Sequence, residues 1–175
     1  MYQAKSFEHL KGLRDFSDPL MKNHLALYQG YVKNTNQLAT LLLSMVKLGK
    51  TGTMAYAELK RRFGWEFNGM RLHELYFENL TKRSAPLKKP SPLCQNLRRE
   101  FGQFGTWERG FMGVGGMRGI GWVVLTHDPV TGRLFNVWMD EHDGGFLVGS
   151  MPLLVMDVFE HAYLQDYGLS RSAYV

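Results

Sequence analysis

Two long helix-period patterns that meet at a glycine-bounded turn constrain the fold more than any other feature. Leu20, His24, Leu27, Tyr31, Leu38, Leu42 and Met45 recur at spacings of three, four and seven, the periodicity of one helix face. Asp18-Pro19 supplies an N-cap and a first-turn proline, and Gly49 a stop. A second pattern runs from about Thr53 to Leu80 through Leu59, Phe63, Met70, His73 and Phe77, and Gly64 and Gly69 predict an irregular turn inside it. With only Gly49-Lys50-Thr51-Gly52 between them, the two helices fold back as an antiparallel hairpin.

Past its middle the chain changes character. Residues 85–91, in a stretch rich in Lys, Pro and Ser, read as a linker between an N-terminal helical lobe, 1–84, and a C-terminal lobe, 92–175. Ser91-Pro92 caps a third helix reaching about Phe104, Thr106 caps a fourth, and Gly113, Gly115, Gly116 and Gly119 end helical structure. Residues 121–126 and 134–139, on either side of Asp128-Pro129-Val130-Thr131-Gly132, predict a β-hairpin. A short buried strand over 152–156 and a helix over about 161–172 follow.

Composition narrows the class. A chain of 175 residues with 45% hydrophobic and 21% charged side chains is globular, not disordered or rod-like. Its one cysteine, Cys94, excludes an internal disulfide and a zinc ribbon, and reads as an idle thiol in a reducing compartment. The net charge of +5 favours anionic partners, and Lys82, Arg83, Lys88, Lys89, Arg98 and Arg99 concentrate it. No aromatics interleave in that linker, so it makes a poor nucleic-acid platform. The first thirteen residues lack a signal-like apolar core and the longest apolar run is Leu41-Leu42-Leu43, so no membrane span is expected and the cytoplasm is the default location.

Chemistry enters with four residues. Asp157 and His161 stand four apart just after the expected buried strand, where one helical turn points both side chains the same way. Singly, a capping Asp and core histidines explain Asp157, His161, His24 and His73. Together they all sit on faces expected to turn inward, whereas His9, His127 and His142 sit in different settings. Three imidazoles and one carboxylate suit iron, manganese or zinc and not calcium or magnesium.

At this point the chain resembles a family. Asp157-Val158-Phe159-Glu160-His161-Ala162-Tyr163, with Pro152-Leu153-Leu154 before it and Asp166-Tyr167 after it, resembles the C-terminal signature of iron/manganese superoxide dismutases. His73-Glu74-Leu75-Tyr76-Phe77-Glu78-Asn79-Leu80, Met21-Lys22-Asn23-His24 with Tyr31-Val32-Lys33-Asn34, Phe101-Gly102 and Gly119-Ile120-Gly121-Trp122 are similar to its other landmarks, in the same order. The resemblance implies an α+β fold: a helical-hairpin lobe, then an α/β lobe with a small three-stranded antiparallel sheet. It implies His24, His73, Asp157 and His161 as ligands of one iron or manganese ion, and superoxide as substrate. Tyr31 corresponds to a tyrosine at the substrate mouth, Trp122 to a wall, and Glu160 to a carboxylate that reaches a partner subunit's ligand histidine. A homodimer through Glu160 and His161 follows, with a tetramer also compatible.

Departures are local. The family's glutamine, which hydrogen-bonds the metal-bound solvent, is absent: Gly69 occupies one of its two places, and His142, in Glu141-His142-Asp143, stands at the other as the candidate solvent partner. His24 and Tyr31 are one residue closer than usual, Leu27 or Tyr28 replaces a gateway histidine, Leu164 replaces a cross-interface tyrosine, and Phe159 replaces a Trp. In the family the residue two before the ligand Asp tends to be Gly in manganese members and Thr or Val in iron or dual-metal ones, so the resemblance, with Val155 there, implies a slight lean to iron or dual use. Two rival readings are a non-catalytic structural or RNA-associated protein of this fold, which has no reason to keep all four ligands, and a zinc hydrolase, which lacks a dedicated base here.

Overall fold

The computed structural model describes residues 1–88 and 91–175; Lys89 and Pro90, in the expected linker, lie outside the described residues. Helices α1 (Asp18–Lys47) and α2 (Met54–Asn79) form the expected hairpin. The cap of α1 is Ser17, whose hydroxyl accepts from the Leu20 amide; Asp18 is already helical and its carboxylate instead holds the Gly12 amide. The buried stripe runs through Leu20, His24, Tyr28, Thr35 and Leu42. Leu27 falls on its flank and is 42% exposed, so it leaves the expected core face.

Helix α2 is continuous through Gly64 and Gly69, against the expected irregular turn. A glycine weakens a helix without breaking it. At Gly69 the missing side chain has a use: a Cβ there would stand 2.7 Å from Tyr31 Cδ1, so glycine lets the Tyr31 ring lie against α2. Thr53 caps this helix by accepting from the Tyr56 amide, and Asn79 at its end accepts from the Val155 amide, 2.8 Å away.

Strands β1 (Gly121–His127), β2 (Leu134–Asp140) and β3 (Met151–Asp157) form an antiparallel sheet in the order β2-β1-β3. Alternation along the central β1 gives the sheet two buried faces. Trp122 and Val124 join a core with Leu20, Met21, Tyr28, Met70 and Phe77 of the hairpin. Val123 and Leu125 face Leu97, Trp107 and Phe111 of helices α3 (Pro92–Phe101) and α4 (Phe104–Gly115). The sheet is thus the middle of three layers. At its start Gly121, with φ +153°, lies where a Cβ would meet the Met139 carbonyl oxygen at 2.0 Å, so no other residue fits.

Ser91 caps α3 as expected. Helix α3 stops at Phe101, short of Phe104, and α4 starts from Gln103 and not from Thr106, because the chain turns at Gly102 between them. Gly113 lies inside α4 and Gly115 is its last residue, with Gly116 as the C-cap. The expected closing helix is three short pieces: a 3-10 turn, Glu160–Ala162, and helices α5 (Leu164–Tyr167) and α6 (Arg171–Tyr174). Arg171 holds this segment by donating to the carbonyls of Gly119 and Val158. Among the described residues, no helix is long and apolar enough to cross a membrane.

Candidate metal centre

His24 on α1 and His73 on α2 project from the hairpin toward the sheet, and both are fully buried. Asp157, the last residue of β3, is paired with Trp122 across the ladder, so the strand end delivers its carboxylate to the same place. His161 follows in the 3-10 turn, not on the single helical turn that the four-residue spacing suggested. The Phe159 amide donates to Asp157 Oδ1 at 2.9 Å, and the Tyr174 hydroxyl donates to the Asp157 carbonyl at 2.6 Å. These bonds leave Oδ2 free to face the imidazoles.

Three Nε2 atoms converge on that oxygen: His24 at 3.0 Å, His161 at 3.1 Å and His73 at 3.6 Å. The four donor atoms all lie within 4.8 Å of one another. His73 Nδ1 donates to the Gly69 carbonyl at 2.6 Å, which puts the ring proton on Nδ1 and leaves Nε2 as a bare lone pair without a hydrogen-bond partner among the described residues. A buried lone pair facing a carboxylate oxygen with no proton between them is an arrangement that a cation resolves.

The protonation states agree. Burial lowers His24 and takes His73 down to about 3, so both rings are neutral at pH 7. Burial pushes Asp157 up, but the hydrogen bonds from His161 and His24 outweigh it and hold the carboxylate well below its usual range. Neutral imidazoles and an ionised carboxylate are the forms that bind metals. One anionic oxygen and three nitrogens fit iron, manganese or zinc.

The loop after β2 supplies a neighbouring group. Asp140 and Gly144 exchange backbone hydrogen bonds of 2.8 and 3.1 Å, and this turns His142 inward to full burial. His142 Nδ1 accepts from Trp122 Nε1 at 3.0 Å, and its Nε2 lies 2.8 Å from Tyr31 Oη. Tyr31 also packs on His73, with ring centroids 5.1 Å apart. Seven residues of α1 are close to two turns, so His24 and Tyr31 both reach His73 despite the shortened spacing. Burial lowers His142 to about 4 and raises Tyr31 to about 12, leaving the imidazole neutral and the phenol protonated at pH 7.

The structure therefore brings together all seven residues singled out at the site. Neither gateway alternative is at the mouth: Tyr28 packs on Phe7 and Phe77 and donates to Glu74, and Leu27 faces outward. Glu160 is exposed beside His161, and Cys94 is buried on α3. Trp65 was missed. Its ring centroid is 4.3 Å from that of His142 and 5.5 Å from that of Tyr31, and its Nε1 donates to Glu141 Oε2 at 3.0 Å. The signal was its place on α2, eight residues before His73 and so near the same stripe. Phe159 was read only as a replacement, yet it stacks on His161 and packs at a tilt against His142.

Comparison with known proteins agrees with this arrangement. A family model for the C-terminal domain of iron/manganese superoxide dismutases matches residues 89–175. A manganese superoxide dismutase of Haloferax volcanii is 33% identical over 153 residues, 87% of this chain and 75% of the relative. An iron superoxide dismutase of Cupriavidus metallidurans is 34% identical over 166 residues, 93% of this chain and 82% of the relative. A manganese enzyme of Haloarcula marismortui is 32% identical over 87% of this chain and 73% of its own. Likeness of this extent to manganese and iron enzymes alike, over both the hairpin and the sheet that frame the four converging donors, means that the chain belongs to the iron/manganese superoxide dismutase family.

Proposed function

We propose that the chain is a superoxide dismutase that converts two superoxide anions and two protons to dioxygen and hydrogen peroxide, with His24, His73, Asp157 and His161 as the ligands of one iron or manganese ion. The observation that carries this reading is the bare Nε2 of His73 facing Asp157 Oδ2 in a buried cluster of four donors. When bound there, such an ion would supply one-electron redox chemistry between its +3 and +2 states.

The chain's own residues do the rest. Asp157 would neutralise one positive charge of the ion; the Phe159 amide, donating to Oδ1, fixes the carboxylate's orientation, and the Tyr174 hydroxyl holds the Asp157 backbone by donating to its carbonyl. The His73 bond to the Gly69 carbonyl fixes that ring's tautomer and points Nε2 into the cluster. Tyr31 and His142 form a polar edge on the site, while Trp122, Phe159 and Trp65 close apolar walls around it. A positive centre set in a chain of charge +5 attracts a small anion.

Relatives named for manganese and for iron are both found, and Val155 supports a lean to iron or dual use. Exposed Glu160 beside His161 supports a homodimer in which this carboxylate meets the partner's ligand histidine. Expressing the protein separately with each metal, quantifying bound metal, and following superoxide decay by pulse radiolysis tests the reading. Turnover proportional to bound iron or manganese is the expected result; absent turnover with either metal bound refutes it.

A further inference from the structure

His142 has two ring nitrogens, and both are engaged. Indole Nε1 can only donate, so the His142 Nδ1 that lies 3.0 Å from Trp122 Nε1 carries no proton. The ring proton is then on Nε2, 2.8 Å from Tyr31 Oη, and the N–H donates while the hydroxyl oxygen accepts. The reverse direction fails on geometry. If Tyr31 donated to Nε2, the neutral ring would carry its proton on Nδ1, opposing two N–H groups at 3.0 Å; a doubly protonated ring does the same. Tyr31 therefore keeps its own O–H for a third partner.

The ring's setting is fixed from several sides. Trp65 meets it edge to face, with centroids 4.3 Å apart, and donates to the carboxylate of Glu141, the preceding residue. The Glu141 amide donates to the Ile120 carbonyl, and its φ of +47° holds the loop in a conformation that side chains rarely adopt. Phe159 also packs against the ring, tilted, with centroids 4.8 Å apart.

Resting on the dismutase reading, we propose that Tyr31, not His142, is the hydrogen-bond donor this site offers to solvent or substrate, and that His142 is a positioning residue acting only through Tyr31. This changes the role that the resemblance suggests for residue 142. A glutamine there has two N–H bonds and one carbonyl, enough to accept from a tryptophan, donate to a tyrosine and still donate to solvent. An imidazole has one N–H, and here Tyr31 takes it. The Tyr31 ring lies against His73, which puts the phenol next to the donor cluster.

Two measurements test this. Ring-nitrogen NMR of metal-free protein with isotope-labelled histidine reports the tautomer, the His142 signal being assigned by its loss in His142→Ala. The Nε2–H form is expected, in wild type and in Tyr31→Phe alike; an Nδ1–H form overturns the proposal. The second is a double-mutant cycle on azide affinity of the iron-loaded protein. His142→Ala is expected to change affinity about tenfold alone, the worth of one hydrogen bond, and less than about twofold in the Tyr31→Phe background. An equal change in both backgrounds, or none in either, overturns it. His142→Gln, which keeps the loop filled and adds a second N–H, is expected to change affinity even without the Tyr31 hydroxyl; no change there also counts against the proposal. Superoxide turnover enters neither readout, so failure of the dismutase reading and failure of this assignment are separate outcomes.

Discussion

Replacing Gly69 by alanine tests how the site's polar edge is built, and Gly64 supplies the control on the same helix. A glycine inside a helix costs about 1 kcal/mol relative to alanine. At Gly64 nothing among the described residues lies within 4 Å of where a Cβ would stand, so Gly64→Ala is expected to stabilise by about that amount. At Gly69 the same methyl would meet Tyr31 Cδ1 at 2.7 Å, Cε1 at 2.8 Å and Cγ at 3.1 Å. Non-bonded carbons rest about 3.5–4.0 Å apart, so the ring must retreat by about 1 Å. The 2.8 Å bond between Tyr31 and His142 cannot absorb that displacement and remain well formed. Overpacking of this kind costs about 1–3 kcal/mol, and weakening one hydrogen bond about 1 more. Set against the helix gain, Gly69→Ala is destabilising by about 1–3 kcal/mol, which separates the two variants by about 2–4 kcal/mol. For a chain of this length that is a gap of roughly 10 °C in Tm. Urea and thermal denaturation of the metal-free proteins measure it, and the ring NMR of His142 shows whether the bond has moved. Equal stabilisation by both alanines, with the His142 signal unchanged, refutes the close-packing argument.

Four further outcomes follow from the geometry. His24→Ala, His73→Ala, Asp157→Ala and His161→Ala are each expected to lose bound metal together with activity; stoichiometric metal by elemental analysis with full turnover removes that residue from the ligand set. Glu160→Ala is expected to weaken self-association if, as proposed, this carboxylate meets the partner's ligand histidine, and an undiminished dimer in sedimentation at low concentration ends that assignment. The metal-free protein is expected to lose stability as pH falls. His73 and His142 stay neutral in the fold down to about 3 and about 4 while the unfolded chain takes up protons below 6.5, and Asp157 acts in the same sense below 3.8; a denaturation midpoint that is flat from pH 7 to pH 4 contradicts this. Superoxide turnover is expected to fall as salt shortens the Debye length toward about 3 Å, with metal content fixed, and a salt-independent rate removes long-range steering from the mechanism.

The differences between sequence and structure have local causes. Helix period located α1 and α2 because burying one face of a long helix leaves a regular trace. It placed Leu27 inside because a stripe's edge is set by the partner's shape, and Phe77 of α2 and Phe7 of the N-terminal segment cover the side at Tyr28. Glycine content predicted a break in α2 that tertiary packing overrides, since the notch at Gly69 is filled by Tyr31. The four-residue spacing of Asp157 and His161 identified the right pair for a reason that did not hold. A strand end and a 3-10 turn, not one helical turn, bring the two side chains together.

Sequence by itself determined the elements and the donor chemistry: two amphipathic helices, alternating strands, and four residues able to supply three neutral nitrogens and one anionic oxygen. Those properties belong to side chains and their spacing along the backbone, and they survive any change of neighbours. Which atoms face one another was decided only in three dimensions. The bare Nε2 of His73 exists because α2 offers the Gly69 carbonyl to the other nitrogen. The direction of the bond between His142 and Tyr31 is imposed by Trp122, 20 residues away in sequence and on another element. The place of Trp65 depends on a bond to Glu141, 76 residues on. A hydrogen bond is directional and an imidazole carries its proton on one nitrogen or the other, so the partners that choose between them are fixed only when the layers close.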